Sequence, residues 1–131
     1  MTTRASGTFD VEGFDQEPYD DREGATLSRA RLTKTFKGDV EATSSVEMLM
    51  AVAQEGSAAY VAFERIVGAV HGRSGSFVLH HSATSSGGGQ SGTWTVVPDS
   101  GTGDLRGLRG EAQIVIEPDG GHTFTLDYEI D

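Results

Sequence analysis

Cysteine is absent from the 131 residues. That removes disulfides, thiolate nucleophiles and cysteine metal sites together. The composition suits a reducing cytoplasm, and a cytoplasmic location is the expectation. Basic side chains are scarce: 10 Lys and Arg stand against 20 Asp and Glu, for a formal net charge of −10. Such a surface repels nucleic acid and anionic membranes, so neither is expected as a partner. The charge itself reads as a source of solubility. No apolar run approaches the roughly 20 residues of a membrane helix. The opening MTTRASGTFD lacks the apolar stretch of a secretion signal. The whole chain is therefore read as mature and soluble. Its length is that of one domain, residues 1–131, and it is enough to bury a core without staples.

What is present is period-two patterning. GTFDVEGF sets Phe9 and Val11 against Thr8, Asp10 and Glu12, and ATLSRARLTKTF sets Ala30, Leu32 and Phe36 against Arg29, Arg31, Thr33 and Thr35. Between them, residues 16–24, QEPYDDREG, are polar and carry a proline, which predicts a loop. GDVEATSSVEMLMAV fits either a helix, through Val46, Leu49, Met50 and Ala53, or a strand, through Val40 and every second residue to Met50. A strand is expected, because the flanks are strands and no N-cap stands out. AAYVAFERIVGAVH and SFVLHHSATS flank GRSG and predict a hairpin. SSGGGQSG, residues 85–92, predicts a flexible loop. TWTVV, EAQIVIEP and HTFTLDYEI complete about eight strands, the last two joined by the hairpin signal DGG. The fold class expected is all-β: a closed eight-stranded antiparallel barrel, with a two-sheet sandwich as the alternative.

The stretch SGTGDLRGLRG, residues 100–110, asks whether four close glycines cradle a phosphate or turn a corner. A phosphate loop needs GxxxxGK and a helix behind it. Here there is no lysine, and a strand follows Gly110. The corner is expected instead: Gly101 and Gly103 at positive φ, Leu105 and Leu108 on one helical or 3₁₀ turn plugged into the core, Gly107 close to neighbouring backbone, and Gly110 relaunching the chain.

A strand, SGTG, Leu-x-Gly-x-x-Gly and a second strand resemble the signature shared by allene oxide cyclases, dirigent proteins and related small barrels. GDVEATSSVEML, AYVAFERIVGAVHGRSGSFVLHHSA and WTVVPDSGTGDLRGLRG, in that order, resemble an uncharacterised bacterial family with the allene oxide cyclase-like, calycin-like barrel. The resemblance spans roughly residues 5–130. It implies an eight-stranded barrel, often homo-oligomeric, with an axial cavity.

The hairpin from 58 to 83 carries the candidate site. With GRSG as a four-residue turn, Val70 meets Phe77, Ile66 meets His81 and Glu64 meets Ala83. Tyr60, Ala62, Glu64, Ile66, Phe77, Leu79 and His81 then share one face. That mix of apolar groups with one carboxylate, one imidazole and one phenol suits a ligand cavity. A three-residue turn would bring His80 inward in place of His81. Glu64 and His81 are the candidate proton-handling, catalytic pair; the structural alternative pairs Glu64 with an arginine at the rim. The resemblance places Glu64 in a Tyr-x-x-x-Glu-Arg stretch and His81 in a Phe-x-x-x-His stretch. Tyr60, Ile66, Phe77, Leu79, Trp94 and Tyr128 are the candidate ligand-binding residues, although Trp94 and the Phe124, Leu126, Tyr128, Ile130 series also read as core. No HxH or HxxxH spacing occurs, so no metal site is expected.

Three functions follow. The first is a barrel binding a mainly apolar small molecule. The second is an isomerase or cyclase on that scaffold, working without a cofactor. The third is a purely structural oligomer module with a filled interior.

Overall fold

Eight strands carry the alternation into three dimensions: β1 (Thr3–Arg22), β2 (Ala25–Gly38), β3 (Val40–Ala53), β4 (Ala58–Val70), β5 (Arg73–Ser86), β6 (Gly89–Val96), β7 (Arg109–Ile116) and β8 (His122–Glu129). The structure is a computed structural model and describes residues 2–87 and 89–130. Each strand runs antiparallel to the next, and β8 returns to β1 over Thr3–Phe9, so the sheet closes into a barrel. Closure leaves no pair of separate sheets, which sets aside the sandwich, and it satisfies backbone groups that an open edge would expose.

Period two decides what enters the barrel. On β4, Ala62, Glu64, Ile66 and Val70 are buried while Val61, Phe63, Arg65 and Val67 face out. On β5 the buried set is Phe77, Leu79 and His81. Residues 40–53 form a strand, as expected, with Val40, Ser44 and Val46 buried on the inner side. Phe9, Phe36 and Phe124 pack across three strands in tilted and edge-on contacts, with centroid separations of 5.3 and 5.1 Å. Burying each such side chain contributes about 1.5–3 kcal/mol.

Three local expectations are corrected. Residues 16–22 are strand rather than loop. Pairing of β1 with β8 stops at Phe9, so the rest of β1 pairs with β2 alone. Pro18 sits there beside a register shift, and an edge with a bulge tolerates a residue that has no N–H to give. Residues 85–92 are not one loop either. β5 continues to Ser86 and β6 begins at Gly89, with Ser85 opposite Gln90; Gly88 lies outside the described residues. Lastly, the turn after β4 is His71–Gly72, not GRSG. Both residues have positive φ, 49° and 78°, the form that matches a twisted two-residue hairpin. Val70 therefore pairs with Arg73, Ile66 with Phe77, Glu64 with Leu79 and Ala62 with His81. The displacement is an even number of residues, so the face assignment survives although the partners change.

The glycine-rich segment is a corner. β6 pairs with β5 only from Leu79 upward, which leaves the first residues of β5 without that neighbour. The chain after Val96 covers them. Val97 N–H donates to Val78 O at 2.8 Å, Thr102 N–H to Ser76 O at 2.8 Å, and Val78 N–H to Ser100 Oγ at 3.0 Å. A 3₁₀ turn at Gly103–Leu105 then drives Leu105 into the core, and Leu108 follows; both are fully buried. Gly103 and Gly107 have positive φ. Gly101, expected to share that conformation, does not. It is glycine because a Cβ there would collide with the Leu105 carbonyl.

Candidate functional site

Alternation puts Lys34 on the inner face of β2, opposite Ser44 on β3. Ser44 is opposite Ile66 on β4, one inward step from Glu64. His81 enters from β5, opposite Ala62 and Trp94. Four polar side chains thus converge inside an otherwise apolar barrel, each buried: Glu64 at 0%, His81 at 3%, Lys34 and Ser44 at 7% exposure. Lys34 Nζ lies 3.3 Å from Glu64 Oε1 and sits over the Phe9 ring, 4.4 Å from its centroid. Ser44 Oγ donates to Glu64 Oε2 at 2.5 Å. His81 Nε2 approaches Glu64 Oε1 to 2.8 Å, off the line of a well-aligned hydrogen bond.

Burial is the largest single influence on the Glu64 carboxyl, and alone it would raise the pKa. His81, the Lys34 charge and the Ser44 hydroxyl together outweigh it and hold the group below the ordinary glutamate value. Glu64 is therefore a carboxylate at neutral pH. Its direct partner is a lysine and not the rim arginine that the sequence allowed. Arg65, the next residue, faces out.

Above this cluster the barrel opens. A pocket of about 580 Å³ is lined by Met48, Met50, Tyr60, Trp94 and small residues such as Ala83 and Gly92. Tyr60 and Trp94 each present their rings edge-on to the His81 imidazole, with centroids at 6.5 and 6.3 Å. Both therefore touch the pocket on one side and the cluster on the other. Burial pushes the Tyr60 phenol upward, the Trp94 indole opposes this, and the Glu64 charge adds to it. The Trp94 Nε1 is buried without a hydrogen-bond partner among the described residues.

The structure divides the predicted residues into three groups. Glu64 and His81 meet inside the barrel. His80 faces out and stacks on Phe63 at 5.2 Å, which resolves the choice between the two histidines. Tyr60 and Trp94 line the pocket. Ile66, Phe77 and Leu79 do not line it. They sit in the packed half of the interior with Leu105 and Leu108. Tyr128 also lies in that half, where its hydroxyl meets His71 Nδ1 at 2.6 Å; His71 Nε2 is 3.5 Å from Asp39 Oδ2. Lys34, Ser44, Met48 and Met50 were not singled out from sequence. Their parity was the available signal: Lys34 shares the face of Leu32 and Phe36, and Ser44, Met48 and Met50 share the Val40–Val46 face. Among the described residues no group of three or more His, Asp or Glu could hold a metal.

Fold and site together define a closed eight-stranded antiparallel barrel with a buried lysine–glutamate–histidine cluster beneath an apolar mouth. The chain belongs to the DUF3224 family, described as proteins of unknown function, whose model matches residues 5–128. It is similar to a protein with unknown function from the same family in Shewanella oneidensis MR-1, known from a crystal structure. The two share 38% identity over 100% of this chain and 99% of that one, with a TM-score of 0.87. No curated protein matches the chain.

Proposed function

We propose that the barrel binds a mainly apolar small molecule in the pocket at its open end. The carrying observation is the asymmetry of the interior: one half is packed with Phe, Leu and Ile, while the other leaves about 580 Å³ bounded mainly by methionine, aromatic and small side chains, with Gln90 and a few hydroxyls among them. Ligand sites are of this size and character, and a purely structural module would fill that half too. Methionine linings adapt to varied shapes. The test uses the lone tryptophan. Titration with the neutral dye phenylnaphthylamine is expected to quench Trp94 emission saturably at a one-to-one ratio. Met50→Arg, which fills the pocket, is expected to abolish this. Unsaturable quenching, or the same quenching in the variant, removes the reading.

A second reading is an isomerase or cyclase that needs no cofactor, as in the allene oxide cyclase-like barrels to which we propose this one is related. It draws on the 2.8 Å Glu64–His81 contact directly under the pocket. In it His81 moves the proton and the Glu64 carboxylate orients the ring and balances its charge. We propose a cytoplasmic location on the grounds of the cysteine-free composition. The exposed Leu49, Val61, Phe63 and Val67 on the outside of β3 and β4 support self-association, which sedimentation velocity reads directly.

A further inference from the structure

Resting on the binding reading above, we propose that the ligand is uncharged and presents one acceptor oxygen, of carbonyl type, at its deep end to Tyr60 and Trp94. Among the described residues, none that lines the pocket is Lys, Arg, His, Asp or Glu. An ionised ligand would therefore lose its hydration with no counter-charge in the wall, which is far costlier than burying an apolar group. The buried charges beneath do not supply one, because the Lys34 ammonium is already engaged by Glu64 at 3.3 Å. The net charge of −10 further disfavours an anion.

The floor nevertheless carries donors. The Trp94 indole N–H is buried without an aligned hydrogen bond, although it lies close enough to the Tyr60 oxygen to act on the phenol, and a buried polar group in that state calls for an explanation. Tyr60 shares the lining with Trp94, and its phenol is pushed above the ordinary tyrosine value, so it keeps its proton and donates. Both rings rest against the same imidazole. Two adjacent donors in the wall of a mainly apolar pocket, whose other polar groups are Gln90 and the hydroxyls of Thr84, Ser85 and Ser91, match one acceptor oxygen on an apolar body. A hydrocarbon would leave them unsatisfied.

The experiment displaces phenylnaphthylamine from the full chain with three naphthalenes of similar size: the ethyl hydrocarbon, the methyl ketone and the carboxylate. The ketone is expected to bind roughly tenfold more tightly than the hydrocarbon, the gain from one or two net hydrogen bonds. The carboxylate is expected to bind most weakly. In Tyr60→Phe and Trp94→Phe the ketone-to-hydrocarbon ratio falls toward one; each variant carries its own hydrocarbon control, and either suffices should the other fail to fold. Equal binding of ketone and hydrocarbon to the native chain, a tightest-binding carboxylate, or a ratio unchanged in a folded variant overturns the inference. If the hydrocarbon binds and the ketone gains nothing, this inference alone fails. If no probe binds, the binding reading fails with it.

Discussion

Lys34 on β2 and His81 on β5 approach the same oxygen of Glu64, at 3.3 and 2.8 Å, from strands on either side of β4, and all three side chains are buried. A lone carboxylate could not be kept ionised at that depth, and a lone ammonium could not either. Each is tolerable because the other is present, and Ser44 satisfies the remaining carboxylate oxygen. The pair thus fixes a charged group a single layer below the pocket without placing charge in the pocket wall.

Removing one partner should therefore cost more than removing both. Lys34→Met leaves Glu64 buried without its ammonium and is expected to destabilise by about 3 kcal/mol, within the usual range for breaking a buried ion pair. Glu64→Gln leaves Lys34 uncompensated and should cost a similar amount. The double variant is expected to recover at least half of the summed loss, since no uncompensated charge remains. Urea denaturation of the four proteins measures the coupling. Additive losses would show that the ammonium and carboxylate do not depend on each other.

The same cluster sets an acid dependence. The folded Glu64 pKa lies below its unfolded value. Its contribution is thus fully present above the ordinary glutamate value of about 4.3, and it is lost as pH falls through the folded value. Asp127, beside Arg4, and Glu129 are also lowered, so the native chain alone does not isolate Glu64. The difference between native and Glu64→Gln does. It is expected to be greatest near pH 7 and to shrink as the pH approaches about 3, read as urea midpoints across the series. A difference that stays constant with pH would assign the cost of the substitution to packing.

Much of this architecture is written in the alternation. Parity along β4 and β5 places Glu64 and His81 inside without any knowledge of the turn, because an even displacement of the hairpin keeps every side chain on its face. The partners across the strands depended on the turn, and His71 hid it, since a histidine at positive φ carries no clear composition signal. The proline and acids of residues 16–22 suggested a loop because local composition does not show that β1 outruns β8 and becomes an edge. Lys34 was obscured by its chemistry: a lysine reads as solvent-facing until a buried carboxylate is known to lie across from it. The split between a packed half and an open half was also out of reach. It arises from where residues 97–108 fold back, and Leu105 and Leu108 fill only that end.

That fold-back makes Gly107 a sharp test of the packed half. It joins Leu105 to Leu108, both fully buried, and it holds φ at 83°, which a β-branched side chain adopts only under strain. Gly107→Val forces the turn toward negative φ and must swing one of the two leucines out of its seat. The expected loss exceeds about 1 kcal/mol from the backbone alone, and more if a leucine is exposed. Because the pocket lies at the other end, Trp94 emission in the folded variant is expected to stay unchanged while the melting temperature falls. An unaltered melting temperature would mean that the corner does not hold the two leucines. A large shift in Trp94 emission would mean that the two halves of the interior are not independent.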